Sequence, residues 1–184
     1  MLSGRRLDLL DPSPLDIEIE DIAHGLSRVA RWNGQTLGPH AFSVAQHCLL
    51  VEDIACRLQP GLGVKKRLAA LLHDAAEYVI GDLISPFKAA VGLDYKSFEL
   101  RLMGAIHLRF GLPADPDPGL RRLIKKADRQ AAFFEAHQLA GFAQADAIKI
   151  FGRPLALEDI TLAPLAPDDA KSRYLERFHL LSGS

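Results

Sequence analysis

Apolar residues recur three or four positions apart through most of this chain, and metal-ligating side chains are set into those stripes. That spacing lines one face of an α-helix. His47 closes the string Ser43-Val-Ala-Gln-His47, at the edge of a stripe of Val44, Cys48, Val51, Ala55 and Leu58. His73 and Asp74 end the apolar run from Val64 to Leu72. Asp128 lies between Ile124 and Ala131, on the inward face of its segment. An ionised carboxylate buried without a partner costs several kcal/mol or more, so this position demands a cation, a basic side chain or strong donors. Each residue also has an ordinary explanation. His47 suits a satisfied core histidine, His73-Asp74 a helix end where imidazole meets the dipole, and Asp128 a partner of Lys125 or Arg129.

The pattern predicts an all-α chain in one unit, with residues 1–15 as an irregular arm and a core of about 16–182. A short helix is expected from about Asp21, carrying Ile22, Leu26 and Val29, then a polar loop from Arg31 to Pro39. The stripe beginning near Ala41 is closed by Pro60-Gly61. The next helix should run from Val64 through Asp74. Gly81-Asp82 breaks the period, and Ser85-Pro86 reads as an N-cap with proline at the first helical position. Asp94 can cap a helix reaching Phe110, with Phe98, Leu102, Ile106 and Phe110 inward. A Pro/Asp-rich loop leads to a strong helix from Gly119 to Leu139, whose face holds Leu120, Leu123, Ile124, Ala127 and Ala131. After Gly141 the pattern weakens, until Asp168 starts an amphipathic helix with Leu175, Phe178 and Leu181 inward.

With 184 residues the chain is long enough for a sizeable core. Its formal net charge of −1 argues against a long nucleic acid as partner, since a duplex binder needs a basic face. Cys48 and Cys56 sit about 12 Å apart along one helix, too far to bridge. A reducing, cytoplasmic setting is expected. There is no apolar h-region at the N-terminus and no run near the ~20 residues that span a bilayer.

Taken together, the order H, then HD, then D supplies two imidazoles and two carboxylates, a mixed nitrogen and oxygen set for one divalent cation. The set points to metal-assisted phosphoester hydrolysis. Between Asp74 and Asp128 the only other histidine is His107, which reads as surface or edge, so a single metal is expected. Glu77, three residues after Asp74, has the placement of a general acid/base near a cation; its ordinary reading is an exposed helix-end glutamate.

The chain resembles the HD-domain metal-dependent phosphohydrolases. Among these it is most similar to the small bacterial and prophage proteins related to 5′-deoxynucleotidases. The matching text is Asp21 to Trp32, Phe42 to His47, Leu71 to Tyr78, Gly81 to Lys88, Asp94 to Lys96, Lys125 to Asp128 and Leu165 to Asp168. The resemblance spans roughly residues 16 to 180. It implies a helical bundle with a central metal held by His47, His73, Asp74 and Asp128. It also implies catalytic roles for Glu77 and Asp74, and substrate contacts from Arg31, Trp32 and Asp82, to which Lys88 would add positive potential for the substrate. The implied activity is hydrolysis of small nucleotides, (deoxy)ribonucleoside 5′-monophosphates above all. The alternatives are an HD hydrolase for a signalling nucleotide or nucleoside triphosphate, or a non-catalytic nucleotide- or metal-binding module. The expected cofactor is one divalent ion: Mn, Co, Fe, Ni, Mg or Zn. The expected partner is a small-molecule nucleotide, with neither long nucleic acid nor membrane, and a homodimer is left open.

Overall fold

In a computed structural model the chain is described over residues 1–83, 93–154 and 159–183, with the backbone alone at 93–95. Among the described residues there are eight α-helices and no strand: α1 (Ile19–Leu26), α2 (Val44–Leu58), α3 (Val64–Leu71), α4 (Glu77–Ile80), α5 (Leu93–Arg109), α6 (Pro118–Gln138), α7 (Gln144–Phe151) and α8 (Pro167–Ser182). The all-α expectation holds. Helix starts follow local chemistry. The Ser43 hydroxyl accepts from the Gln46 amide at the head of α2, and the Asp117 carboxylate accepts from the Leu120 amide where Pro118 opens α6. Pro167 opens α8 with Asp168 and Asp169 in its first turn.

Helix α2 is the centre of the bundle. It packs against α1, α3, α6 and α8, while α1 also meets α4 and α8, and α6 carries α7. Its face contributes to two apolar groups. Val44, Ala45 and Cys48 join Ile22, Leu72, Leu102 and Tyr174. Val51, Ile54 and Ala55 join Ala127, Ala131 and Phe133. His47 lies between the two, wholly buried. The N-terminal stretch leads into a short 3-10 helix, Pro14–Asp16, and is tied down: the Ser3 amide and hydroxyl both donate to Asp21.

Three boundaries differ from the periodicity. Helix α1 starts at Ile19, and α7 occupies a stretch where the pattern had weakened. Helix α3 stops at Leu71, not Asp74, because Leu72 leaves helical geometry at φ −90° and ψ 5°. A run of tight turns follows, closed by Ala75 N–H to Leu72 O at 2.9 Å and Glu77 N–H to Asp74 O at 3.0 Å. The His-Asp pair therefore sits in the elbow between α3 and α4. The expectations for Ser85, Pro86 and Lys88 lie outside the described residues, and Asp94, expected as a cap, falls inside α5, which already includes Leu93.

The elbow is clamped from outside by α1. An added Cβ at Gly25 would stand 2.7 Å from the Tyr78 carbonyl oxygen and 2.8 Å from its Cβ. Tyr78 directly follows Glu77, so glycine here lets α1 press on the segment that carries Glu77. Gly25→Ala must push backbone away, which costs about 1–3 kcal/mol and lowers Tm by about 3–10 °C. Calorimetric melting checks this; an unchanged Tm would show that the α1–α4 contact is not tight.

Candidate metal centre

Three segments bring the ligand atoms together: His47 from α2, His73 and Asp74 from the elbow, and Asp128 from α6. The His73 Nδ1–H donates to the Ala70 carbonyl at 3.0 Å, a bond that caps the end of α3 and leaves Nε2 as a lone pair facing the centre. The His47 Nδ1–H meets the Glu135 carboxylate at 2.5 Å, which likewise turns its Nε2 inward. The Nε2 atoms of both rings are buried and have no hydrogen-bond partner. Around them, Asp128 Oδ1 lies 3.2 Å from His47 Nε2, and Asp74 Oδ2 lies 3.1 Å from His73 Nε2 and 3.5 Å from His47 Nε2.

Those separations suit one small divalent ion. Two donor atoms each about 2.1 Å from an ion, at angles of about 90–110°, stand about 3.0–3.4 Å apart. The ligand atoms of His47, His73 and Asp128 all fall within 4.8 Å of one another. The donor set of imidazole and carboxylate therefore fits a divalent transition metal or Mg. Burial pushes the imidazoles toward neutrality, as does the nearby Arg31 charge at His47, yet Glu135, Asp128 and Asp74 outweigh both at His47, and Asp74 with Cys48 outweighs burial at His73, so both pKa values are raised well above the usual one. Reciprocally, the Asp74 carboxyl is held well below its usual range against the effect of burial, chiefly by the positive charge that His73, and with it His47, carries when protonated. Carboxylates crowding two inward lone pairs are a site built for positive charge.

Asp128 is less buried than its stripe position indicates. Its side chain is 42% exposed, because it faces a cavity and not packed side chains. The cavity measures about 660 Å³, and its lining includes His73, Asp74, Glu77 and Asp128. Glu77 is 2% exposed, not the solvated helix-end residue of the ordinary reading. It opens α4, one turn past Asp74.

Arg31 and Trp32 occupy the opposite, Nδ1 side of His47. The Arg31 Nε donates to Glu135 at 3.1 Å and its Nη1 to Asp82 at 3.0 Å, while the Trp32 indole N–H donates to Glu135 at 2.9 Å. Arg31, Trp32 and Asp82 are thus drawn together, but none is among the described residues lining the 660 Å³ cavity. Trp32 and Asn33 hold left-handed backbone at φ 56° and φ 50°, an uncommon conformation for residues other than glycine. The Trp32 ring packs on Phe142 and Phe151, and that packing holds the turn in place.

Glu135 is the functional residue that the periodicity did not single out. It is fully buried, seven residues after Asp128 and four after Ala131, on the same face of α6. Burial would raise its pKa, but the charges of His47 and Arg31, with hydrogen bonds from His47 and Trp32, hold it at about 2. It is therefore a permanent anion that orients the His47 ring. Glu135→Gln keeps the volume and removes the charge; it should weaken divalent-metal affinity about 10–100-fold, the effect typical of a residue that holds a ligand. Calorimetric titration with Mn checks this, and wild-type affinity in the variant would refute it.

His107 corrects an expectation. It is buried at 4% exposure instead of lying at the surface, because the residues after Gly111 fold back over it. The two cysteines, Cys48 and Cys56, are free. No helix of the described residues is long and apolar enough to cross a membrane.

Residues 44–132 match the HD domain family. The span takes in all four ligand candidates and Glu77, and ends three residues before Glu135. An uncharacterized protein of Rhodobacter capsulatus is 55% identical over 183 residues, covering 98% of this chain and 93% of its own length. The uncharacterized protein YfdR of Escherichia coli is 32% identical over 167 residues, covering 91% of this chain and 85% of its own.

Proposed function

We propose that this chain, which belongs to the HD-domain family, is a metal-dependent phosphomonoesterase acting on small nucleotides, with (deoxy)ribonucleoside 5′-monophosphates as its substrate class. The observation that carries the reading is one cavity of about 660 Å³ in which Glu77 stands beside the ligand atoms of His73, Asp74 and Asp128. That volume suits a nucleotide-sized molecule. His47, His73, Asp74 and Asp128 would hold the ion, which when bound supplies Lewis acidity toward a phosphoryl oxygen and toward water.

The remaining work falls to this chain's own groups. Hydrolysis of a phosphomonoester forms one P–O bond from water and breaks the P–O bond to the sugar oxygen; one proton leaves the water and one reaches the leaving alcohol. Glu77 is the carboxyl group placed to move a proton, being buried at the wall of the cavity that His73, Asp74 and Asp128 also line. Asp74 links the two roles, since it holds the inward imidazoles and precedes Glu77 by one turn. Arg31, Trp32 and Glu135 keep the His47 ring turned inward.

A phosphate-release screen of the metal-loaded protein tests the reading. It should cover nucleoside mono-, di- and triphosphates, cyclic and phosphodiester nucleotides, sugar phosphates and phenyl phosphate. Preference for 5′-monophosphates supports it. Preference for triphosphates or diesters, or equal release from sugar, aryl and nucleoside phosphates, overturns the substrate class and leaves the metal centre standing. Metal binding with no hydrolysis of any of these would make the chain a binding module.

A further inference from the structure

The cavity beside Glu77 has a second polar pole, formed by His107 of α5. The ring is 4% exposed yet lines the cavity, under the loop that follows Gly111. Neither ring nitrogen has a hydrogen-bond partner of ordinary geometry. The backbone carbonyls of Ala114 and Pro113 lie near enough to favour its proton, without closing such a bond. Burial dominates and lowers its pKa, so at neutral pH the ring is uncharged and offers one N–H donor and one lone pair. A buried polar group left in this state costs stability, and in the wall of a cavity it marks a place where a ligand completes the bonding.

The surroundings narrow the ligand. Met103, Ala114, Pro116 and Ile124 give the cavity apolar lining between its two poles. The nearby cation Arg121 is already neutralised by Asp115 at 2.7 Å. Lys125 lies three residues before Asp128 on α6, on the face that leads to the metal end. A second phosphate at the His107 pole would find Arg121 already paired, while Lys125 stands toward the other pole, three residues from Asp128. A flat, uncharged heterocycle with mixed donors and acceptors on its edge fits better, since it stacks on apolar walls and meets a neutral imidazole at one point.

We infer that His107 reads the nucleobase of the substrate, with the phosphate at the ligand cluster and the base edge against the imidazole. This rests on the nucleoside monophosphate reading above and makes His107 the residue that sets base preference.

Full-length, metal-loaded protein tests it in wild type, His107→Phe and His107→Gln, with the four deoxyribonucleoside 5′-monophosphates and phenyl phosphate as substrates. Phenylalanine fills the space without polar atoms; glutamine restores a donor and an acceptor. In His107→Phe the ratio of kcat/KM for nucleotides over phenyl phosphate should fall about tenfold, mainly through KM, the loss of one neutral hydrogen bond left unmade. In His107→Gln the ratio should recover at least in part. An unchanged ratio, whether both activities hold or both fall together, overturns the inference and makes His107 a packing residue. Should His107→Phe fail to fold, His107→Gln and His107→Asn carry the test through the ranking of the four bases. The ranking shifts if the residue reads the base and stays fixed if it does not. A wild-type protein that prefers phenyl phosphate refutes the substrate reading itself, before any variant is made, and this inference falls with it.

Discussion

Asp128→Ala is expected to abolish stoichiometric metal binding and to lower phosphate release by roughly 10³-fold or more, since replacing a residue that only orients a ligand already costs about 10–100-fold. Asp128 brings the α6 oxygen to the two inward imidazoles, 3.2 Å from His47 Nε2. Without it, His47 and His73 retain their orienting bonds to Glu135 and Ala70, so the fold should survive while the ion loses a charged donor. Elemental analysis of wild type should give up to about one divalent ion per chain, as four donors close one sphere with room for water. Two ions per chain in wild type, or full occupancy in Asp128→Ala, would sink the single-site assignment. Asp146→Ala is the control: that carboxylate is exposed and paired with Lys149, and its loss should leave metal content unchanged.

How far such a centre can be read without coordinates depends on which contacts are local. His47 and Asp128 were legible because an imidazole or a carboxylate inside an apolar helical stripe has few stable uses. His73-Asp74 was legible as a pair but not as an elbow. The apolar spacing of Leu68, Leu71 and Leu72 continues past the point where α3 stops, at the non-helical backbone of Leu72, with the His73 side chain bonded back to Ala70. Glu135 extends the same face one turn past Ala131, and two turns past Asp128, but a single glutamate at the end of an apolar stripe carries no signal of its own. Its partner Arg31 lies 104 positions away, a pairing that no local pattern contains. The burial of His107 is non-local in the same sense, since it depends on the loop after Gly111 folding back. The bonds of Arg31 and Trp32 to Glu135, and of Arg31 to Asp82, are likewise long-range, and no local pattern contains them.

The elbow also explains why Glu77 and not another carboxylate should move protons. Asp74 and Asp128 are engaged with the imidazoles, and Glu135 is locked as an anion by His47, Arg31 and Trp32. Glu77 is buried at the cavity wall beside them, and the contact of Gly25 with Tyr78 fixes the segment that carries it. Glu77→Gln keeps its volume and hydrogen-bonding reach but cannot exchange a proton. It should retain wild-type metal content and melting behaviour while turnover falls about 10²–10⁴-fold, the range for a removed general acid/base. The pH profile of kcat should lose the limb that Glu77 controls. Glu77→Asp, with the carboxyl group drawn back by one methylene, should recover part of the rate and restore that limb. Metal loss in Glu77→Gln would reassign the residue as a ligand. Undiminished turnover would remove it from proton transfer and shift that role to solvent or to Asp74.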